Sequence, residues 1–109
     1  MPNDVTVTAT SIGAWLGDGG GQYFNGNIDE FRVWNVALSA TDIANTMNCE
    51  AMSQPELVTY YKFNQGYDGV SNTGITSLTD SAGSNNGTLT NFALSGATSN
   101  WKSGSPVTT

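Results

Sequence analysis

Between residues 24 and 43 this chain changes structural period in mid-stretch, and that change limits what the rest can fold into. Ile28-Asp29-Glu30-Phe31-Arg32-Val33-Trp34-Asn35-Val36 is dense in β-branched and aromatic residues, which predicts a strand. On a two-residue period Phe31 and Val33 share the inward face. Arg32 and Trp34 share the other face, where the guanidinium is expected to lie over the indole. Ser39-Ala40-Thr41-Asp42 then reads as an N-cap with an acidic first turn, Ser39 being the cap. A helix of two or three turns follows, with Ile43 and Met47 four apart on one face, ending near Asn48.

Other strand signals flank this unit. The stretch 5–12 alternates apolar and polar through its first half, and Ala14-Trp15-Leu16 is a short second strand or its continuation. The glycines of 17–21 make a loop, either a tight turn or a backbone cradle. Asn25-Gly26 predicts a hairpin-type turn with positive φ at both central positions. After a linker-like crossing at 50–56, Leu57-Val58-Thr59-Tyr60-Tyr61-Lys62-Phe63-Asn64 is the second strong strand. Leu57, Thr59, Tyr61 and Phe63 lie on one face, and Val58, Tyr60 and Lys62 on the other. A polar loop at 65–74, a short strand at 75–79, turns at 80–87 and a strand at 88–92 follow, and 103–109 reads as an exit linker.

Gly, Ser, Thr and Asn make up nearly half the chain, a mix suited to short strands joined by many turns. Eleven aromatic residues, 3 Trp, 4 Tyr and 4 Phe, argue against disorder. The net charge is −6 with 3 cations, Arg32, Lys62 and Lys102, too few to neutralise a run of phosphates. Nucleic acid and anionic membrane surfaces are therefore disfavoured as partners, whereas calcium or neutral sugars suit this balance. No apolar run is long enough to span a bilayer and no secretory apolar region precedes the strands. Met1 marks an artificial start or a cut within a longer precursor.

The chain has 0 His and 1 Cys, which excludes Ser-His-Asp and Cys-His nucleophile systems and His- or thiolate-based zinc cages. Cys49 has no partner for an internal disulfide and no imidazole base, so a buried or idle thiol is expected. Paired carboxylates are the remaining enzymatic route. Asp29 with Glu30, or either with Asp80, would be the candidates, but Asp29 and Glu30, as strand neighbours, point to opposite faces and cannot flank one glycosidic bond together. The expectation is no enzymatic activity. Oxygen-rich loops at 25–29 and 80–86 offer Asn25, Asn27, Asp29 and Asp80 as ligands for a hard cation such as Ca2+, with ordinary turn chemistry as the competing use. Trp15, Tyr23, Tyr60 and Trp101 could supply flat apolar ring faces to a sugar, with Asn, Asp and Gln bonding its hydroxyls. Asn86-Gly87-Thr88 fits a glycosylation acceptor, although a tight Asn-Gly turn accounts for it more simply.

Phe24-x-Gly26-x-Ile28-Asp29-Glu30-x-Arg32-x-Trp34-Asn35-x-Ala37-Leu38-Ser39, followed by Asp42-Ile43, resembles the closing strand of laminin-G-like, concanavalin A-like jelly-roll domains. Leu57-Val58-x-Tyr60-Tyr61-x-Phe63-Asn64, then Leu78-Thr79-Asp80-Ser81-x-Gly83-x-Asn85-Asn86-Gly87-Thr88-Leu89, is similar to the opening strands of such domains. The order is reversed, closing before opening, as in secreted surface proteins of Bacteroidetes-type bacteria that the run from Asn91 to Trp101 also resembles. The resemblance implies an all-β antiparallel sandwich, partial or permuted, with one short helix. One unit is expected over 1–102 (1–49 closing half, 57–102 opening-like half), with 103–109 as linker. It also implies an extracellular or cell-surface module, secreted as part of a larger precursor, that binds a glycan or surface protein without catalysis. A structural calcium near the junction of opening and closing strands belongs to the same implication. A complete jelly roll has about twice the strands available here. Either the chain closes a small sandwich alone, or copies complete each other through their strand edges into oligomers or filaments.

Overall fold

A computed structural model describes residues 10–15 and 21–107, apart from the side chain of Ala97. Most of the strand expected at 5–12, and most of the glycine loop at 17–21, lie outside the described residues. The described elements are β1 (Ala14–Trp15), β2 (Gln22–Tyr23), β3 (Phe31–Trp34), α1 (Ala40–Thr46), β4 (Leu57–Tyr61), β5 (Ser77–Leu78) and β6 (Gly87–Thr88), then a 3-10 turn at Gly96–Thr98. They pair as three two-stranded antiparallel sheets, β1–β2, β3–β4 and β5–β6. The chain is thus β-rich with one helix. A two-layered jelly roll is not formed by the described strands.

The β3–β4 ladder joins the closing-type and opening-type motifs directly. Phe31 stands opposite Tyr61, Arg32 opposite Tyr60 and Val33 opposite Thr59; the register then shifts so that Trp34 faces Leu57. That bulge leaves Val58 without a partner and exposed. On the inward face the Phe31 and Tyr61 rings stack, with centroids 5.9 Å apart. Tyr61, Leu78 and Trp101 form the core, packed around by Phe31, Phe63, Ile75, Leu89, Phe92 and Leu94. Gly66 passes directly under the Trp101 indole, where any side chain would collide with the ring. Val33, expected inward, is exposed, because this core covers only the Phe31 end of the ladder.

The expected strands are shorter in the structure; Glu30 (φ 53°), immediately before β3, and Phe63 (φ 53°), two residues after β4, have left-handed backbone, as does Asn91 (φ 55°) in the connection after β6. An L side chain in that region turns the backbone out of the ladder at a cost of about 1–3 kcal/mol. Phe63 reaches the core because of that turn, meeting Tyr61 edge-on at 6.5 Å.

α1 begins as expected. Ser39 Oγ accepts from Asp42 N at 3.1 Å, and Asp42 Oδ2 accepts from Ser39 N at 3.2 Å, a reciprocal capping box. No residue of α1 is buried. Its C-terminal end is held instead by Arg32, whose Nη1 donates to Thr46 O at 2.9 Å and whose Nη2 donates to Cys49 O at 2.6 Å.

Asp80 closes the far edge of β4. Its Oδ1 accepts from Tyr60 N at 2.9 Å and Ala82 N at 2.9 Å, its Oδ2 accepts from Asn85 N at 3.0 Å, and Ser81 N donates to Tyr60 O at 2.8 Å. The buried carboxylate thus substitutes for a strand at Tyr60 and folds the 80–86 turn around itself. Burial alone would raise its pKa. The N–H donors from Tyr60, Ala82, Asn85 and Gly83 outweigh burial and hold it below the ordinary aspartate value. A depressed folded pKa stabilises the fold above the unfolded value of about 3.9, and that contribution is lost as pH falls through the folded value. Asp80→Asn should therefore lower unfolding stability by roughly 1–3 kcal/mol at neutral pH. It should also flatten the acid limb of a pH series of urea melts, the measurement that checks both effects.

Candidate functional site

The exposed aromatic residues gather on the β1–β2 ribbon. Gly13 takes φ +79° and Ser11 Oγ donates to Ala14 O at 2.5 Å, fixing the turn into β1. Ala14 then pairs with Tyr23 and Trp15 with Gln22, and Phe24 N donates to Gly13 O at 2.9 Å. Residues opposite each other share a face. Trp15, Gln22 and Phe24 therefore lie on one side of the ribbon, and Ala14 and Tyr23 on the other. Gly13, Ala14, Trp15, Gln22, Tyr23 and Phe24 line an open groove of about 360 Å³. The rings of Trp15, Tyr23 and Phe24 are 54%, 68% and 59% exposed. An indole beside an amide, with a second aromatic one step along and no side chain at Gly13, is a surface on which a flat apolar sugar face can stack while Gln22 bonds hydroxyls.

Phe24 is not among the residues expected to bind, because its sequence neighbourhood reads as strand-closing motif. Its position depends on Gly26, where a Cβ would come within 2.8 Å of the Phe24 ring. Neither Asn25 nor Gly26 has positive φ, so the expected hairpin turn is not formed. β2 and β3 pair with different partners, and the pair at 25–26 belongs to the connection between them. A side chain at 26 would have to displace the end of the Phe24 ring. Tyr67, also exposed and also outside the expected set, sits on a loop pinned by buried Asn72. Asn72 Oδ1 accepts from Tyr67 N at 2.8 Å, and its Nδ2 donates to Tyr67 O at 2.8 Å and Val70 O at 3.1 Å.

The other two expected ring platforms are inside. Trp101 is 4% exposed, edge-on to Phe92 at 5.4 Å and covered by Gly66, so it presents no face to a ligand. Tyr60 is 2% exposed. Its parity places it away from the apolar core, but a polar cluster buries it there. The Arg32 guanidinium lies 5.1 Å from its ring centroid and the Lys62 ammonium 5.5 Å. Arg32 thus covers Tyr60, its partner across the ladder, and not Trp34 as sequence parity suggests. Tyr60 OH donates to Glu30 Oε2, Ala51 N donates to Tyr60 OH at 3.1 Å, and Arg32 Nη2 reaches the same Glu30 oxygen at 2.7 Å. Lys62 pairs with Glu50 at 2.8 Å.

Glu30 is thereby committed to a cation and a phenol, an arrangement that fixes its geometry. Burial opposes the charge on Arg32, but the bonds to Glu30 and Tyr60 raise its pKa further above the ordinary value. Tyr60 is raised by burial first and by the bond to Glu30 second. A raised folded pKa means that this tyrosine stabilises the fold fully below the unfolded value of about 10 and ceases to as pH rises through the folded value. Tyr60→Phe should cost about 1–3 kcal/mol, since Ala51 N loses its acceptor and Glu30 a donor. The variant should also show a shallower loss of stability than wild type as pH rises in thermal melts followed above neutral pH.

Asn25, Asn27 and Asp29 are exposed on one loop. Asp29 Oδ1 accepts from Glu30 N at 2.9 Å and its Oδ2 accepts from Ser105 Oγ. Asp80 spends its oxygens on the backbone donors of its own turn. No cluster of three or more His, Cys, Asp or Glu placed to hold a metal ion occurs among the described residues. Cys49 is a half-buried free thiol whose Sγ lies 3.4 Å from Asn45 O. No described helix is long and apolar enough to cross a membrane.

Residues 2–44, which contain β1, β2, β3 and the start of α1, match a laminin G family model described as the concanavalin A-like lectin/glucanases superfamily. The match takes in the whole aromatic groove and the strand that carries Glu30 and Arg32. No curated protein and no solved structure matches the chain.

Proposed function

We propose that the chain is a non-catalytic carbohydrate-binding or adhesion module of an extracellular or cell-surface protein, and that it takes sugars at the β1–β2 groove. The observation that carries this reading is the exposure of Trp15 and Phe24 on one face beside Gln22, within the segment that matches the lectin and glucanase superfamily. Apolar rings left in solvent on a two-stranded ribbon contribute nothing to the core, which is built from other aromatics. The carboxylates nearest the ladder support a binding module as well, since Glu30 is held by Arg32 and Tyr60 and Asp29 by Ser105 and its own backbone.

Calorimetry against neutral polysaccharides tests the reading. Trp15→Ala should weaken binding roughly tenfold, the loss of one stacked ring being worth about 1 kcal/mol or more, and Phe24→Ala should weaken it similarly. Tyr23→Ala, at a position that lines the groove but whose side chain alternates to the other face of the ribbon from Trp15, should change affinity less. Equal losses at all three positions, or no binding by wild type across a glycan array, would overturn the groove as the site.

A second reading, self-assembly through strand edges, has its own support. The alternation of the ladder turns the Arg32 N–H and C=O away from β4, and no described residue pairs with that outer edge of β3. Ile43 on α1 and Met47 at its C-cap, both exposed, lie in the connection that follows. Light scattering should then give a mass above the monomer that rises with concentration. A monomer at every concentration would remove this reading and leave the first intact.

A further inference from the structure

The sequence holds two Asn-Gly pairs, Asn25-Gly26 and Asn86-Gly87, and the fold treats them differently. An asparagine followed by glycine is chemically labile, because no side chain shields the next backbone nitrogen. That nitrogen attacks the asparagine Cγ and forms a five-membered succinimide. The bond between Cγ and the amide nitrogen Nδ2 breaks, and ammonia leaves with the proton lost from the attacking nitrogen. Water then opens the ring at either carbonyl to give aspartate or isoaspartate. The sum is one water consumed, one ammonia released and one new carboxylate, with no change of oxidation state. The attack requires the Asn side chain to rotate freely and the Gly nitrogen to swing towards it.

At Asn86 both movements are restrained. Its Oδ1 accepts from Asp80 N at 2.9 Å, and Gly87 is held in the β5–β6 ladder opposite Leu78, with the Leu78 and Tyr61 side chains 3.6 Å from where its Cβ would be. Reaching the succinimide there means breaking into the ladder and releasing the turn that Asp80 organises. At Asn25 neither restraint exists. The residue is exposed, no described residue hydrogen-bonds its side chain, and the Gly26 N–H is in no ladder and donates to no described carbonyl. The connection that carries the pair runs between strands belonging to two separate sheets.

We infer that Asn25 is a site of spontaneous succinimide formation and deamidation in the folded protein, and that Asn86, with the same local sequence, is protected by the fold. The modification falls immediately after Phe24, on the rim of the groove. It adds a negative charge to a protein already at −6, and in the isoaspartyl product it inserts one backbone methylene between the groove and β3. The ribbon that carries the exposed rings thereby acquires a slow, irreversible change in charge and geometry. The inference does not depend on what the groove binds.

The protein's own cations make the test direct, because cleavage after Arg32 and Lys62 puts Asn25 and Asn86 on separate tryptic peptides. The full chain would be incubated folded in mildly alkaline buffer and mapped over time by mass spectrometry, with enzymatic detection of isoaspartate. Conversion at residue 25 should outpace residue 86 by about tenfold or more, the protection expected from the hydrogen bonds that Asn86 must break. In urea the two rates should converge, and Asn25→Gln should abolish the folded-state signal. Comparable rates at both positions in the folded protein, faster reaction at Asn86, or a folded protein inert at Asn25 would each overturn the inference.

Discussion

The structure depends on the pairing of two strands whose motifs are separated by a helix and a linker. Across β3–β4 the Arg32–Tyr60 pair acts on three elements at once. The guanidinium covers the phenol, pairs with Glu30 and holds the last carbonyls around α1, while the phenol receives Ala51 N and bonds Glu30. A helix with no buried residue cannot be docked by apolar packing, so its position rests on this guanidinium. The left-handed backbone of Glu30 belongs to the same arrangement: the turn that ends the incoming loop also carries the carboxylate to Arg32 and Tyr60. The two faces of the ladder are thus secured by different physics, stacked rings and aliphatic side chains on one, charge and hydrogen bonds on the other.

That division explains which parts of the fold are legible in the sequence. The β3 and β4 strands, their inward aromatic faces and the Ser39 cap follow from period and capping chemistry, both of which are local. The burial of Tyr60 does not, because parity assigns a residue to a face and says nothing of what covers that face. Trp34 is the nearer neighbour of Arg32 in sequence, but Tyr60 is its partner across the ladder, and cross-strand partners are invisible without the register. Strand ends are hidden for a physical reason as well. Phenylalanine is among the residues least suited to left-handed backbone, so nothing at Phe63 announces a turn. Glycine misleads in the other direction. Gly26 and Gly87 suggest positive φ and have none; a side chain at 26 would displace the end of the exposed Phe24 ring, and one at 87 would meet Leu78 and Tyr61 at ordinary contact distance.

The candidate site divides along the same line. Of the four aromatic residues expected to meet a ligand, Trp15 and Tyr23 are exposed and Tyr60 and Trp101 are structural. Composition cannot separate these classes, since a ring that stacks on a sugar and a ring that fills a core are the same ring. What separates them is which strand they occupy. Trp101 comes from a segment wound back over the core, with Asn100 N donating to Ala93 O at 2.8 Å, whereas Trp15 sits on a two-residue strand of a ribbon outside it. Phe24 is hidden for the same reason, as part of a motif whose remaining residues are structural.

The chain order of β3 and β4 has a simple consequence for stability. In an antiparallel ladder the register is indifferent to which strand comes first, so β3 can pair with a strand that follows it as well as with one that precedes it. Such a pairing within one short polypeptide forms the contact that matters most and leaves the outer edge of β3 open among the described residues. At the far edge of β4, Asp80 and Ser81 meet the backbone of Tyr60 with a carboxylate and a turn instead of a strand. One edge of the pair is therefore closed by the protein's own polar groups, whereas no described residue pairs with the other. Each of the three cations is taken up in an internal ion pair, so the excess of carboxylates gives the surface its net negative charge.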